Sequence, residues 1–151
     1  MKEVIRFILK QEGSAYVSRD GGKESSKFGI LQSTARGYGF QGNIKDLTRP
    51  EAEAIYEKMW RESGAQNLPR ELAIVHFDTY INSPAAARKM LKACGGDTES
   101  YLNLRVQRYV RLAERRPQRY AKYVKGWMNR VEHLRTMVAQ YDNASSTKES
   151  T

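Results

Sequence analysis

The sequence predicts a mainly α domain with one small β excursion near its start. Three observations predict it. Apolar residues recur at spacings of three and four along most of the chain. Thr, Ser, Asp and Pro stand where those runs begin, and Gly where several end. A single stretch rich in Gly, Ser and Asp, residues 13–30, breaks the pattern.

Taken in order, Lys2 to Glu12 carries Val4, Ile5, Phe7, Ile8 and Leu9 at spacings of three and four, which gives one buried stripe, and Gly13 stops that helix. Asp20-Gly21-Gly22 is a turn signal between Tyr16-Val17 and Phe28-Gly29-Ile30, which reads as an irregular β-hairpin. Residues 33–46 read as a short helix or loop. Thr48-Arg49-Pro50-Glu51 is a capping box with an early proline, opening a helix to about Arg61. After Pro69, the run Leu72 to Ile81 is apolar nearly all round, as a buried central helix should be. Ser83-Pro84 starts a helix to Cys94, and Gly95-Gly96 ends it. Asp97 or Thr98 caps the next, which Pro117 ends or kinks. The last helix is predicted from about Gln118 to Tyr141, with Tyr120, Val124, Trp127, Val131, Leu134, Val138 and Tyr141 as its core stripe. Residues 143–151 are small and polar and are expected to form a disordered tail. The rest, 1–142, reads as one domain, with a first part to about 67 and a helical, basic part from about 68.

The 151 residues suit one domain, and the 40% apolar share is enough for a core. No apolar run reaches the roughly 18 residues of a membrane span. The N-terminal apolar residues are interrupted by Lys2, Glu3, Arg6 and Lys10, so a signal-peptide core is not expected there. One cysteine, Cys94, excludes an internal disulfide, and two histidines make a His-based metal site an unlikely design. No cofactor is implied. The net charge of +9 favours an anionic partner such as nucleic acid, acidic lipid or bacterial cell wall. Residues 1–67 hold 11 Lys and Arg against 9 Asp and Glu, whereas residues 68–151 hold 15 against 8.

Glu12 is the most informative residue. It continues the buried stripe of the first helix, where a carboxyl is expected to be partly desolvated and so favoured in its protonated form. That is the state a glycosidase acid needs. Position alone favours the plainer reading, a helix-terminal glutamate reaching water. Asp20 follows eight residues later, and a hairpin folding back over the helix end would bring it near Glu12. Paired carboxyls serve glycoside hydrolysis, although Asp before Gly-Gly is also ordinary turn chemistry. Ser25 and Ser26 are candidate water-holding hydroxyls or plain loop serines. Arg105, Arg108, Arg111, Arg115, Arg119 and Lys122 step by three or four. They form either a polyanion track or, by a slight preference, the solvated face of a helix pair. Interleaved tyrosines would suit nucleic acid, but no nucleic-acid motif is present. His76 reads as a core histidine. Asp78 and Asn82 either line a cleft or bond internally. Trp60 and Trp127 read as core, as does Cys94.

Together these segments resemble glycoside hydrolase family 108, the phage and bacterial N-acetylmuramidases of lysozyme-like fold. The matching runs are Glu12-Gly13-Ser14-Ala15-Tyr16-Val17, Asp20-Gly21-Gly22, Ser26, Phe28-Gly29-Ile30 and Leu47-Thr48-Arg49-Pro50-Glu51-Ala52. They continue with Phe77-Asp78-Thr79-Tyr80-Ile81-Asn82-Ser83 and Gly126-Trp127-Met128-Asn129-Arg130-Val131. Ser26 stands where the family has Thr, and only Gly95-Gly96-Asp97 is left of the motif common in its C-terminal peptidoglycan-binding part. The resemblance implies a lysozyme-like domain in which Glu12 is the catalytic acid and Asp20, with Ser26, positions water. It implies Tyr16, Asn82 and Arg130 as substrate-binding residues. The implied reaction is cleavage of the β-1,4 bond between N-acetylmuramic acid and N-acetylglucosamine, by hydrolysis or by a lytic transglycosylase route. A monomer held by charge on anionic wall or outer-membrane polymers is expected. An endolysin kept in the host cytoplasm until holin-type release, a virion-carried enzyme, or an effector exported by a dedicated machine fits this reading. The competing class is a non-catalytic basic module that binds cell wall or nucleic acid.

Overall fold

The structure, a computed structural model, describes the backbone of residues 1–20 and 24–149 and the side chains of residues 1–18 and 24–140. The chain divides into two compact units, Met1–Gln66 and Asn67–Thr151. The architecture is mainly α with one small antiparallel sheet, as expected from the sequence.

In the first unit, α1 (Lys2–Glu12) buries Val4, Ile5, Ile8 and Leu9, while Phe7, expected on the same stripe, is half-buried. Three strands follow, β1 (Tyr16–Asp20), β2 (Glu24–Lys27) and β3 (Ile30–Leu31), in a meander of that order. The expected hairpin thus gains a third strand, too short to show an alternating pattern. Tyr16 pairs with Lys27 and Val17 with Ser26, but Asp20 pairs with Glu24. One extra residue therefore sits on β1 between Val17 and Asp20, a bulge. Lys27 pairs with Ile30 across a two-residue turn, Phe28-Gly29, with both residues at positive φ. That is the type I′ pattern, whose twist matches the flanking strands.

Helix α2 (Gln32–Gly37) has no cap from its own N-cap residue. Glu24 of β2 supplies one, accepting from the Ser33 N–H at 2.8 Å and the Ser33 hydroxyl at 2.9 Å. Those two donors hold the Glu24 carboxyl below its ordinary pKa. Gln32 clamps the following loop, donating to the Gly42 carbonyl and accepting from the Ile44 N–H at 2.7 Å. Helix α3 (Arg49–Ser63) opens with the predicted capping box, Thr48 with Glu51, and buries Ala52, Ile55, Tyr56, Met59 and Trp60. Gly64 ends it in the left-handed conformation.

The second unit holds α4 (Arg70–Asn82), α5 (Pro84–Ala93), α6 (Thr98–Arg115), α7 (Pro117–Tyr120) and α8 (Val124–Glu149). Every residue of α4 from Leu72 to Tyr80 is buried, and α5, α6 and α8 pack on it. Ser83 and Asp97 cap α5 and α6, as the sequence predicts. The Asp78 carboxylate of α4 is fully buried. It accepts from Arg105 Nη1 of α6 at 2.5 Å and from Arg130 Nε and Nη2 of α8 at 3.0 and 2.7 Å. Burial alone would raise its pKa, but the two guanidiniums outweigh burial and hold it below the ordinary value. Arg105 also donates to the Tyr109 hydroxyl and to Thr79, while its Nη2 has no partner among the described residues.

Several expectations need correction. Arg105 is only 1% exposed and pairs with Asp78, so it leaves the basic stripe for the core. The stripe is also interrupted, because the chain departs from helix at Arg116 before Pro117. The last helix is not continuous from Gln118: α7 and a 3-10 turn (Ala121–Tyr123) precede α8. Of its expected core stripe, Val131 and Leu134 are buried. Trp127 is half-buried and centres an aromatic cluster, stacked on Tyr109 at 4.7 Å between centroids, with Tyr120 and Tyr123 at 5.9 Å. Tyr141 lies outside the residues whose side chains are described. The backbone of α8 runs to Glu149, past the expected start of the tail, and no Gly or Pro interrupts residues 143–149. Residues 150 and 151 lie outside the described residues. His76 is a core histidine, its Nδ1 2.8 Å from the Tyr101 hydroxyl. No helix among the described residues is long and apolar enough to cross a membrane.

The Asp78 cluster yields a stability prediction. Asp78→Ala leaves two guanidiniums facing each other and is expected to cost about 3–5 kcal/mol in urea unfolding. The depressed pKa of Asp78 in the folded state means its contribution is complete above the unfolded value of 3.8 and falls away as pH drops below it. Unfolding midpoints measured through that acid range should fall more steeply for the wild type than for Asp78→Asn. Parallel curves would exclude this source of acid sensitivity.

Candidate active site

Glu12 is the last residue of α1. Gly13, at φ +76°, turns the chain away and donates its N–H to the Leu9 carbonyl at 2.8 Å. Glu12 is half-buried, in keeping with its place at the end of the apolar stripe. The Phe28-Gly29 turn lies directly against it. A Cβ added to Gly29 would come within 2.6 Å of Glu12 Cγ and 2.8 Å of its Cβ and Cδ. The bare Cα of Gly29 thus walls one side of the glutamate. Glycine is required here twice, for that approach and for φ +76°.

Phe28 has no such freedom, yet it sits at φ +54°. A left-handed residue with a Cβ costs roughly 1–2 kcal/mol. Two interactions offset that cost. The Phe28 ring is buried, and its carbonyl accepts from the Tyr56 hydroxyl at 2.7 Å in the interior. Tyr56 comes from the buried stripe of α3 and is fully enclosed.

Of the other predicted residues, Ser26 lies on the central strand β2 and is 1% exposed. Asp20 ends β1 opposite Glu24, and its side chain lies outside the described residues. Without the bulge, the Val17–Ser26 register would set Asp20 opposite Lys23. The extra residue moves it one place toward Ser26. Tyr16 is exposed on β1, with its hydroxyl donating to Ser25 Oγ at 3.0 Å and Lys45 Nζ 5.9 Å from its ring. Glu12, Tyr16, Asp20 and Ser26 therefore all belong to the helix–hairpin segment of the first unit. Asn82 and Arg130 belong to the second unit and meet at Asp78. Asn82 Nδ2 donates to the Asp78 carbonyl at 3.2 Å, while Arg130 grips the carboxylate with two nitrogens.

Sequence reasoning missed Tyr56 and Glu24. Tyr56 fits the core stripe of α3, and the only signal for more is that a hydroxyl buried there needs a partner. Glu24 lies within the predicted hairpin, and its service to α2 depends on a strand register that no local pattern states. Among the described residues, no group of three or more His, Cys, Asp and Glu is placed to hold a metal ion. The arrangement offers a sterically confined carboxyl at a helix end, beside a hairpin carrying a second acidic residue. That inventory suits general acid chemistry at a glycosidic bond.

Comparison with known proteins bears on this directly. Among solved structures, Brucella abortus SagA matches with a TM-score of 0.72 at 24% identity, covering 92% of this chain and 93% of that one. At that identity the likeness concerns the fold. No curated protein matches the sequence significantly. The Glycosyl hydrolase 108 family model matches residues 5–83, a segment that contains Glu12, the hairpin and α4. As that match spans just over half of the chain, the protein belongs to glycosyl hydrolase family 108 and is a glycoside hydrolase of the peptidoglycan-degrading, muramidase type.

Proposed function

We propose that the protein cleaves the β-1,4 bond between N-acetylmuramic acid and N-acetylglucosamine in bacterial peptidoglycan, with Glu12 as the general acid. The observation that carries this reading is the seating of Glu12. It stands at the end of an apolar helix stripe, walled by Gly29, inside the segment matched by the family model. Such confinement limits the rotamers of the carboxyl, and a restrained acid needs less reorganisation to protonate a leaving oxygen.

In this mechanism Glu12 protonates the glycosidic oxygen as the bond to the anomeric carbon breaks. Asp20, with Ser26, orients water or stabilises the oxocarbenium-like transition state. Tyr16, Asn82 and Arg130 contact the glycan. The excess of Lys and Arg in residues 68–151 keeps the enzyme on anionic wall or outer-membrane polymers by charge. It works as a monomer in phage lysis. It is either an endolysin held in the host cytoplasm until a holin-type route admits it to the wall, or a lysozyme carried in the virion.

Digestion of purified peptidoglycan tests the chemistry. Wild type is expected to create reducing muramic acid ends, and Glu12→Gln to slow this by roughly 10²–10⁴-fold, the usual scale for an acid catalyst. Anhydro ends would instead identify a lytic transglycosylase, and intact glycan with both proteins would leave a wall-binding module. The charge component predicts that wall lysis slows as ionic strength rises from low to physiological values, where the screening length shrinks to about 8 Å. A rate independent of salt would remove electrostatic attachment from the reading.

A further inference from the structure

We propose that Tyr56 is a positioning residue for Glu12, acting through the Phe28-Gly29 turn. The inference rests on the reading of Glu12 as the acid. Two contacts and the peptide between them connect the two residues. The Tyr56 hydroxyl donates to the Phe28 carbonyl at 2.7 Å, wholly buried. That carbonyl belongs to the peptide joining Phe28 to Gly29, the central peptide of the turn. Gly29 in turn stands so close to Glu12 that an added Cβ would overlap its Cγ, Cβ and Cδ.

The turn is under opposing demands. Phe28 at φ +54° is a conformation that a bulky side chain resists. A two-residue turn also leaves the carbonyl of its central peptide outside the strand ladder, so a buried one needs another donor. Tyr56 meets both demands with one hydrogen bond. It fixes the plane of the Phe28–Gly29 peptide and hence the Cα position of Gly29. A turn that relaxed toward an unstrained Phe28 would draw Gly29 off the glutamate and open rotamers that the wall now excludes. Tyr56 itself does not relax easily. It is enclosed in the buried stripe of α3. The acid at the end of α1 is thereby referenced to α3 through two turn residues.

Tyr56→Phe keeps the ring and removes only the donor. On soluble, uncrosslinked glycan strands, kcat should fall roughly tenfold to a hundredfold, the scale of a slightly misplaced reacting group, while KM stays within about twofold. Thr48→Ala is the control. It removes a cap from the same helix, so it lowers the thermal midpoint but keeps wild-type kcat at temperatures where the protein is folded. A second readout does not need turnover. The Glu12 carboxyl-carbon resonance, assigned by its loss in Glu12→Gln, should move in Tyr56→Phe at constant pH, while those of Glu99 and Glu114 stay. If wild type cuts no glycan, the muramidase reading fails and the resonance still decides the positioning claim. A Tyr56→Phe protein with wild-type kcat, or one whose Glu12 resonance does not move, overturns it.

Discussion

A single buried carboxylate organises the second unit. Asp78 sits on the most enclosed helix and accepts from arginines on two others, so α4, α6 and α8 share one electrostatic tie. Hydrophobic contact alone leaves helices free to slide, since one apolar surface fits another at many offsets. A carboxylate with two oxygens, each claimed by a different guanidinium, permits far fewer. The tie carries a desolvation cost, visible in Arg105 Nη2, which has no partner among the described residues. What it gives in return is register. Asp78 is the point where three helices are indexed, and the Tyr109–Trp127 stack lies on the same two helices that carry Arg105 and Arg130.

The first unit solves a different problem by different means. Its sheet is too small to stabilise itself, and a three-strand meander with a two-residue third strand depends on what packs around it. Side chains from neighbouring elements hold it in place. Glu24 caps α2, Gln32 clamps residues 42–44, and Tyr56 holds the turn. Each of these is a polar group from one element closing the backbone valence of another. Local backbone strain at Phe28 and a bare Cα at Gly29 sit where the glutamate of α1 ends, and such strain tends to gather where geometry matters to chemistry.

How much of this was legible in the sequence depended on whether the signal was local. The extent of α1, the capping box at Thr48 and the caps at Ser83 and Asp97 are properties of a few adjacent residues, and each appears where the sequence places it. The match of Phe28-Gly29-Ile30 to a family motif was visible, but the contact of Gly29 with Glu12 was not. It joins residues seventeen apart through a turn whose type only the backbone angles reveal. The arginine stripe failed for a related reason. Spacing assigns Arg105 to a face, but whether that face meets water or a buried aspartate depends on a partner helix 27 residues away. Likewise Asp78 and Asn82 were equally cleft residues or internal bonders until α6 and α8 were in place. Of the candidate site, Glu12 was legible as an unusual carboxyl at the end of an apolar stripe. The supports around it were not, because tyrosine and glutamate in those positions also satisfy ordinary core and surface patterns.

The bulge in β1 gives the hairpin a form of modularity. Pairing is anchored at one end by Tyr16 with Lys27, next to the fixed turn, so a change of length elsewhere in β1 need not disturb the seat of the glutamate. Adding or losing one residue between Val17 and Asp20 alters which β2 residue stands across from Asp20 and leaves α1, Phe28 and Gly29 where they are. Glu12 and Asp20 are therefore separately adjustable. One is set by a rigid joint and the other by a strand of variable length. A lineage can move Asp20 along β2 by single-residue insertions and deletions without disturbing the seat of Glu12.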